Sequence, residues 1–150
     1  IDLRKVILNY YYNPLTKGSN SLKYVLPAIL NTSKFLKTKY SQPLAEINVS
    51  SKNFSNDQIW LNFDNGQVIN PYHQLPKLFE NWDSEKIEET LSDMVDSIAD
   101  GGAALTAYSK LQFTDMSTDE RTELRKSLLK YCELDTLAMV MLYEHFRYDF

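Results

Sequence analysis

The feature of the sequence that most constrains the fold is a long helical pattern from Ser117 to about Phe146. Ser117 and Glu120 form a capping box, the signature of a helix N-terminus. The pattern is longer than most globular helices, so we expect a bend near Lys130–Tyr131 or two helices in series. Apolar residues then recur at helical spacing on one stripe: Leu124, Leu128, Tyr131, Ala138, Leu142 and Phe146.

Asp135 falls on the same stripe, four residues after Tyr131 and three before Ala138. A carboxylate that faces a core costs several kcal/mol as a charge unless it is paired, hydrogen-bonded or bound to a metal. No Lys or Arg lies three or four residues away to neutralise it. Two interpretations follow from the residues alone: a functional carboxylate, or an Asp at a helix bend whose side chain caps the following turn.

Tyr131 and Asp135 form a Tyr-x3-Asp pair whose side chains point the same way from consecutive turns. Metal-dependent phosphodiester hydrolysis uses such a pair, because the aspartate holds a divalent cation and the tyrosine hydroxyl orients the attacking water. The spacing alone is a weak signal, since ten Tyr and eleven Asp residues make such a pair expected by chance.

Size and composition indicate one packed globular domain. The chain has 150 residues, of which 43% are apolar and 13% aromatic. No run approaches the roughly 20 apolar residues of a membrane span, so no membrane partner is expected. The lone Cys132 excludes an internal disulfide and indicates a reducing compartment, which predicts a cytoplasmic location. A chain that begins at Ile1 rather than Met is expected to be part of a longer protein.

The charge is unevenly distributed, although the net charge is only −4. Residues 1–52 carry eight Lys or Arg and two acidic residues, whereas residues 53–150 carry eight and eighteen. The basic part includes Lys34, Lys37 and Lys39 close together. Such a surface meets phosphate or forms a solvated helix face, and both interpretations stay open.

The predicted fold is mainly α with one small β-hairpin, in a single domain or domain fragment with three segments. Residues 1–43 form a basic helical segment, with helices over 2–12, from Leu22 to about Leu30 and around 33–39. Pro27 is expected to bend the second helix or end it early. Residues 44–82 hold a loop, a hairpin and an extended linker over 70–76. In the hairpin, 59–63 and 67–69 flank the turn residues Asp64, Asn65 and Gly66. Residues 83–150 form a helical segment, with helices over about 83–99 and 103–113 before the last one.

The remaining side chains with chemical potential carry weaker signals. His73 lies in a Pro-bounded loop and is expected at the surface, and one Cys with two His makes zinc unexpected. The cluster Tyr10, Tyr11 and Tyr12 either stacks bases or forms a core edge with one Tyr facing a partner.

The stretch from Tyr131 to Tyr143 resembles the third exonuclease motif of DEDD-type 3′–5′ exonucleases of the tyrosine subclass, a ribonuclease H-like group. More closely, the chain resembles a bacterial family, domain of unknown function 2779. Its members look like C-terminal parts of larger bacterial proteins that can also carry a nuclease region. Four stretches carry this second resemblance: residues 12–19, 21–30, 100–116 and 131–143.

The resemblance implies roles for two residues and a fold for the whole chain. Asp135 matches the metal-binding aspartate of the motif, and Tyr131 matches its water-orienting tyrosine. The chain then corresponds to the helical C-terminal part of a ribonuclease H-like α/β domain, whose intact parent acts on nucleic acid with Mg2+ or Mn2+. The Asp-x-Glu of the first motif has no counterpart here, and the aspartate of the second motif is unassigned.

Because four carboxylates hold two metals in that group, the chain by itself is predicted to bind no metal and to be inactive. A truncated sheet exposes apolar helix faces, which predicts a homodimer of the fragment. The alternative function is a non-catalytic binding or scaffolding module of a larger nuclease-associated protein. That alternative predicts that Asp135 makes ordinary hydrogen bonds within the protein.

Overall fold

The structure is a computed structural model that describes residues 2–75, 107–109, 111–113 and 115–149. The described residues are mainly helical and include one two-stranded antiparallel sheet, which confirms the predicted class. The chain divides into two compact units. The first unit is Ile1–Gln74 together with Glu133–Phe150, and the second is Leu75–Cys132. The helix predicted over 83–99 and the start of the one over 103–113 lie outside the described residues.

Three helices open the first unit, as predicted: α1 (Leu3–Tyr10), α2 (Leu22–Thr32) and α3 (Lys34–Tyr40). Asp2 caps α1, because its carboxylate accepts hydrogen bonds from the N–H groups of Arg4 and Lys5. Ser33 caps α3 in the same way, by accepting from the N–H of Leu36 at 2.9 Å. Tyr10, at the end of α1, is 84% exposed.

Helix α2 lies at the centre of the first unit and does not end early at Pro27. Five of its residues, from Val25 to Leu30, are at most 1% exposed. A proline has no N–H to donate to the carbonyl four residues earlier, here that of Lys23. The Asn70 amide donates to the Lys23 carbonyl instead, at 3.3 Å. The helix therefore continues to Thr32 while a side chain from another segment satisfies the acceptor that Pro27 leaves open.

The predicted hairpin is present but shorter than expected. Strand β1 (Phe63–Asp64) pairs antiparallel with β2 (Gln67–Val68), and Phe63 lies opposite Val68. The turn residues Asn65 and Gly66 have φ angles of 47° and 80°, the positive values that make Asn-Gly the preferred pair in a two-residue hairpin turn. The turn chemistry was therefore the reliable part of the prediction.

The extended linker predicted over residues 70–76 is wrong where the structure describes it. Residues Pro71–Gln74 form a 3-10 turn. The cause is local, because the side-chain oxygen of Asn70 accepts a hydrogen bond from the N–H of Tyr72 at 3.1 Å. His73 in this turn is exposed, as predicted.

The last helix runs without interruption over Thr118–Tyr148. Of the two predicted alternatives, two helices in series is therefore wrong, and a bend near Lys130–Tyr131 stays a prediction. The capping box is confirmed: Ser117 Oγ accepts from the Glu120 N–H at 3.2 Å, and the Glu120 carboxylate accepts from the Ser117 N–H at 2.9 Å. The apolar stripe is rotated by about one residue from the predicted one, which leaves Asp135 half-buried at its edge. Within the first unit, the buried residues of this helix are Leu134, Ala138, Met141, Leu142 and His145.

In the second unit, residues 107–109 and 111–113 are helical. The Arg121 guanidinium donates to the Leu111 carbonyl at 2.5 Å, and Ala107 and Leu124 are buried. Among the residues that the structure describes, no helix is long and apolar enough to cross a membrane.

Candidate functional site

Asp135 is held by a hydrogen bond that the sequence did not reveal. The Tyr72 hydroxyl donates to Asp135 Oδ1 at 2.5 Å, within the first unit. This is the length of a charge-assisted O–H···O⁻ bond, which is stronger than one between neutral groups. The other oxygen, Oδ2, makes no hydrogen bond with any described residue. Asp135 is therefore oriented by the bond to Oδ1, while Oδ2 has no hydrogen-bond donor among the described residues.

Tyr72 reaches Asp135 because the turn that carries it is docked on α2. Asn70 binds the Lys23 carbonyl with its amide N–H and the Tyr72 N–H with its amide oxygen. The Lys23 ammonium lies 5.8 Å from the centroid of the Tyr72 ring, within the range of a cation–π contact. Pro27 leaves the Lys23 carbonyl without a helical donor, and Asn70 binds that carbonyl. This contact positions the turn whose Tyr72 hydroxyl binds Asp135.

Tyr131 lies on the same continuous helix, one turn before Asp135, and is half-buried. It belongs to the second unit, whereas Asp135 and Tyr72 belong to the first. The roles of Tyr131 as a water-orienting group and of Asp135 as a metal ligand stay predictions.

The other carboxylates on the last helix within the first unit also accept hydrogen bonds. Glu133 accepts from the Ser51 hydroxyl and, at 2.5 Å, from the Asn53 amide. Glu144 pairs with the Lys39 ammonium at 2.5 Å and accepts from the Tyr40 hydroxyl at 3.0 Å.

The Lys39–Glu144 pair is largely shielded, with side-chain exposures of 23% and 14%. Burial, and then the negative charge of Glu144, raise the pKa of Tyr40 far above its usual range, so its hydroxyl stays a donor.

Asp149 joins the last helix to the start of α3. It accepts from the Ser33 hydroxyl, from the Phe35 N–H at 3.5 Å and from His145 Nδ1 at 3.0 Å. A nucleophilic triad needs the histidine between the serine and the carboxylate. Here the carboxylate lies between them, so the arrangement extends the cap of α3. Burial acts to raise the pKa of Asp149, but the bonds from Ser33, His145 and Phe35 outweigh it and lower that pKa.

The carboxylates near Asp135 do not by themselves form a metal centre. Within the described ranges, no three His, Cys, Asp or Glu side chains are grouped so that they could hold an ion. Both oxygens of Glu133, two residues before Asp135, already accept hydrogen bonds. These residues present one open carboxylate oxygen at this position, which does not fit the two-metal centre that the resemblance implies.

The aromatic cluster after α1 divides between core and surface. Tyr11 is half-buried, with its ring edge-on to His145 and Phe146 at centroid distances of 5.9 Å and 5.7 Å. Tyr10 and Tyr12 are 84% and 88% exposed. One ring therefore supports the end of the last helix, while its two neighbours face solvent.

Sequence reasoning found Asp135 but missed Tyr72, because a hydrogen bond across 63 positions leaves no local pattern. The available signal was the turn chemistry of Asn70 and Pro71, which predicts a bend that presents the next side chain. Comparison with models of known protein families, with curated proteins and with solved structures found no match.

Proposed function

We propose that this chain is a non-catalytic binding module in which Asp135 is a structural acceptor. The observation that supports this best is the bond from the Tyr72 hydroxyl to Asp135 Oδ1 at 2.5 Å. It joins the last helix to the turn at Pro71–Gln74, which Asn70 docks on α2. A carboxylate used in this way fixes two segments of the first unit to each other.

The neighbouring carboxylates support the same role. Glu133, Asp135, Glu144 and Asp149 all accept hydrogen bonds from residues between Ser33 and Tyr72. The donors include hydroxyl, amide and ammonium groups, each suited to an ionised carboxylate. These carboxylates flank the buried face of the helix on both sides and attach it to other segments of the first unit. The module presents its remaining surfaces to a partner.

A second candidate is the exonuclease-like function that the resemblance implies for an intact parent. It is favoured by the open oxygen of Asp135, because a tyrosine that holds one oxygen of a carboxylate orients the other, as outer-sphere donors do in metal sites. In that function Asp135 would be one metal ligand and Tyr131 would orient water. Such a site would need further carboxylates.

A nuclease assay with the variant Asp135→Asn distinguishes the two functions. Single strands labelled at the 3′ or the 5′ end are incubated with Mn2+ and either protein, as this chain and as any longer protein that contains it. The binding module predicts the same result with both proteins. Stepwise shortening from the 3′ end that disappears in the variant would contradict the proposal and support the exonuclease. A second nuclease module is inactivated in both proteins, so that it does not mask the difference.

A further inference from the structure

A groove of about 400 Å3 opens on the surface of the first unit. It lies between the segment after α1, the junction of α2 with α3 and the end of the last helix. Its lining includes Tyr12, Lys34, His145 and Asp149. The volume lies within the range of small-ligand sites and is large enough for one nucleotide.

One exposed aromatic ring lines this groove, and a stacked pair of rings lies next to lining residues in the chain. Tyr12 is 88% exposed. Tyr148 is 54% exposed and stacks on Phe35 at a centroid distance of 4.3 Å and an interplanar angle of 25°. Phe35 follows Lys34, and Tyr148 precedes Asp149, so the stacked pair adjoins the groove lining. Rings displayed in this way are the platforms on which nucleic-acid bases stack without regard to sequence.

Two cations and one carboxylate lie in or beside the groove. Lys34 is exposed and forms no ion pair with any described residue. The Arg147 guanidinium lies 5.5 Å from the centroid of the Tyr148 ring. Asp149, which lines the groove, already accepts three hydrogen bonds, one of them from His145. Cations therefore remain available to an anionic ligand, next to rings available for stacking.

We propose that this groove binds one nucleotide of single-stranded nucleic acid, with its base on Tyr12 and its phosphate on Lys34. Neighbouring nucleotides continue toward Tyr148 and Arg147. An acidic peptide would use the cations but would supply no flat base for the exposed rings. The inference rests on the binding module proposed above and names its partner.

Binding of a labelled oligothymidylate of about 12 nucleotides, followed by fluorescence anisotropy in EDTA, tests the inference. Tyr12→Ala is expected to weaken binding about fivefold or more through lost stacking. Lys34→Ala is expected to weaken it and to lower the salt dependence by about one counterion. Tyr10→Ala is the matched control, because Tyr10 is 84% exposed but does not line the groove. Lys52→Ala, in the exposed loop, is the control for Lys34.

Absence of binding, or equal losses in Tyr12→Ala and Tyr10→Ala, would overturn the inference. Competition by free thymidine monophosphate or by polyglutamate as effective as that by unlabelled oligonucleotide would also overturn it, in favour of a small nucleotide or an acidic peptide. Because EDTA chelates divalent metal ions, the binding measurement does not depend on the Mn2+-dependent degradation that the nuclease assay detects. Asp135-dependent degradation would refute the proposed function while leaving binding intact, and loss of binding without any degradation would refute only the groove.

Discussion

At the scale of single residues, the last helix is attached through carboxylates whose charges are satisfied by donors far away in sequence. Hydrogen bonds to an ionised carboxylate are stronger than those between neutral groups, so each of these residues gains stability from its donors. Asp149 has three of them, contributed by Ser33, Phe35 and His145. These bonds exist only in the folded chain, and they favour the ionised form of the carboxylate.

Asp149 is therefore expected to make stability depend on pH in the acid range. Its pKa in the folded chain is below the unfolded value, because hydrogen bonds from Ser33, His145 and Phe35 outweigh the effect of burial. A lowered folded pKa gives stability that is present above the unfolded value, about 3.9, and is lost as the pH falls through the folded pKa. The difference in unfolding free energy between the wild type and Asp149→Asn should shrink as the pH falls below about 4.

Urea unfolding at a series of pH values measures this difference. Asp57→Asn is the control, because Asp57 is exposed and its side chain makes no hydrogen bond with a described residue. A difference between wild type and Asp149→Asn that stays constant down to about pH 2 would show that the bonds to Asp149 do not favour its ionised form.

At the scale of elements, Pro27 and Asn70 explain how a turn comes to be docked on a buried helix. Pro27 removes one N–H from α2 and leaves the Lys23 carbonyl without its helical donor. The Asn70 amide supplies the missing hydrogen bond at 3.3 Å and thereby fixes the start of the turn at Pro71–Gln74. The same turn carries Tyr72, so the irregularity in α2 and the bond to Asp135 belong to one arrangement.

Asn70→Ala is expected to lower the unfolding free energy by about 1 to 2 kcal/mol, because it leaves a carbonyl unsatisfied and removes the support of the turn. In a Pro27→Ala background the loss should be smaller, since residue 27 then has an N–H for the Lys23 carbonyl. A double-mutant cycle from denaturant unfolding measures this coupling. Asn56→Ala, at an exposed loop position, is the control. Equal losses in the two backgrounds would mean that Pro27 and Asn70 act independently.

Local patterns predicted the parts of the fold that depend on local chemistry. The capping box at Ser117 and Glu120 and the turn at Asn65 and Gly66 need only neighbouring residues, and both are confirmed. The long-range partner of Asp135 could not be predicted in this way. Tyr72 lies 63 positions away, in a segment whose extended prediction was wrong because Asn70 forms a local turn.

The set of residues on the buried face of the last helix was also predicted only in part. A rotation of about one residue moves Leu134 and His145 into the buried face and Asp135 to its edge. Hydrophobicity alone could not place a histidine there, because its burial depends on the partner Asp149 and on the ring of Tyr11.

At the scale of the whole molecule, the two compact units differ in the charge that their sequences carry. Within the first unit, the acidic residues Glu133, Asp135, Glu144 and Asp149 are used in internal hydrogen bonds. The surface that an approaching partner would contact therefore carries exposed basic residues such as Lys34. We therefore assign the carboxylates to stability and propose the basic and aromatic surface for binding.

The most direct test of this assignment is the unfolding free energy of the wild type and Asp135→Asn, measured in EDTA and in Mn2+. Fluorescence of Trp60, which is 1% exposed, reports the unfolding of the first unit. All proteins in this experiment carry Trp82→Phe, which removes the only other tryptophan of the sequence. Tyr72→Phe removes the hydrogen bond altogether, whereas Asp135→Asn keeps an acceptor oxygen and removes only its charge. Tyr24→Phe is the matched control, because Tyr24 is 50% exposed.

A structural Asp135 predicts a loss of about 1 to 2 kcal/mol in Tyr72→Phe, a smaller loss in Asp135→Asn, and no change in either when Mn2+ replaces EDTA. A metal ligand predicts that Mn2+ stabilises the wild type but not Asp135→Asn. Stabilisation by Mn2+ that requires Asp135, with no loss of stability for Asp135→Asn in EDTA, would contradict the account.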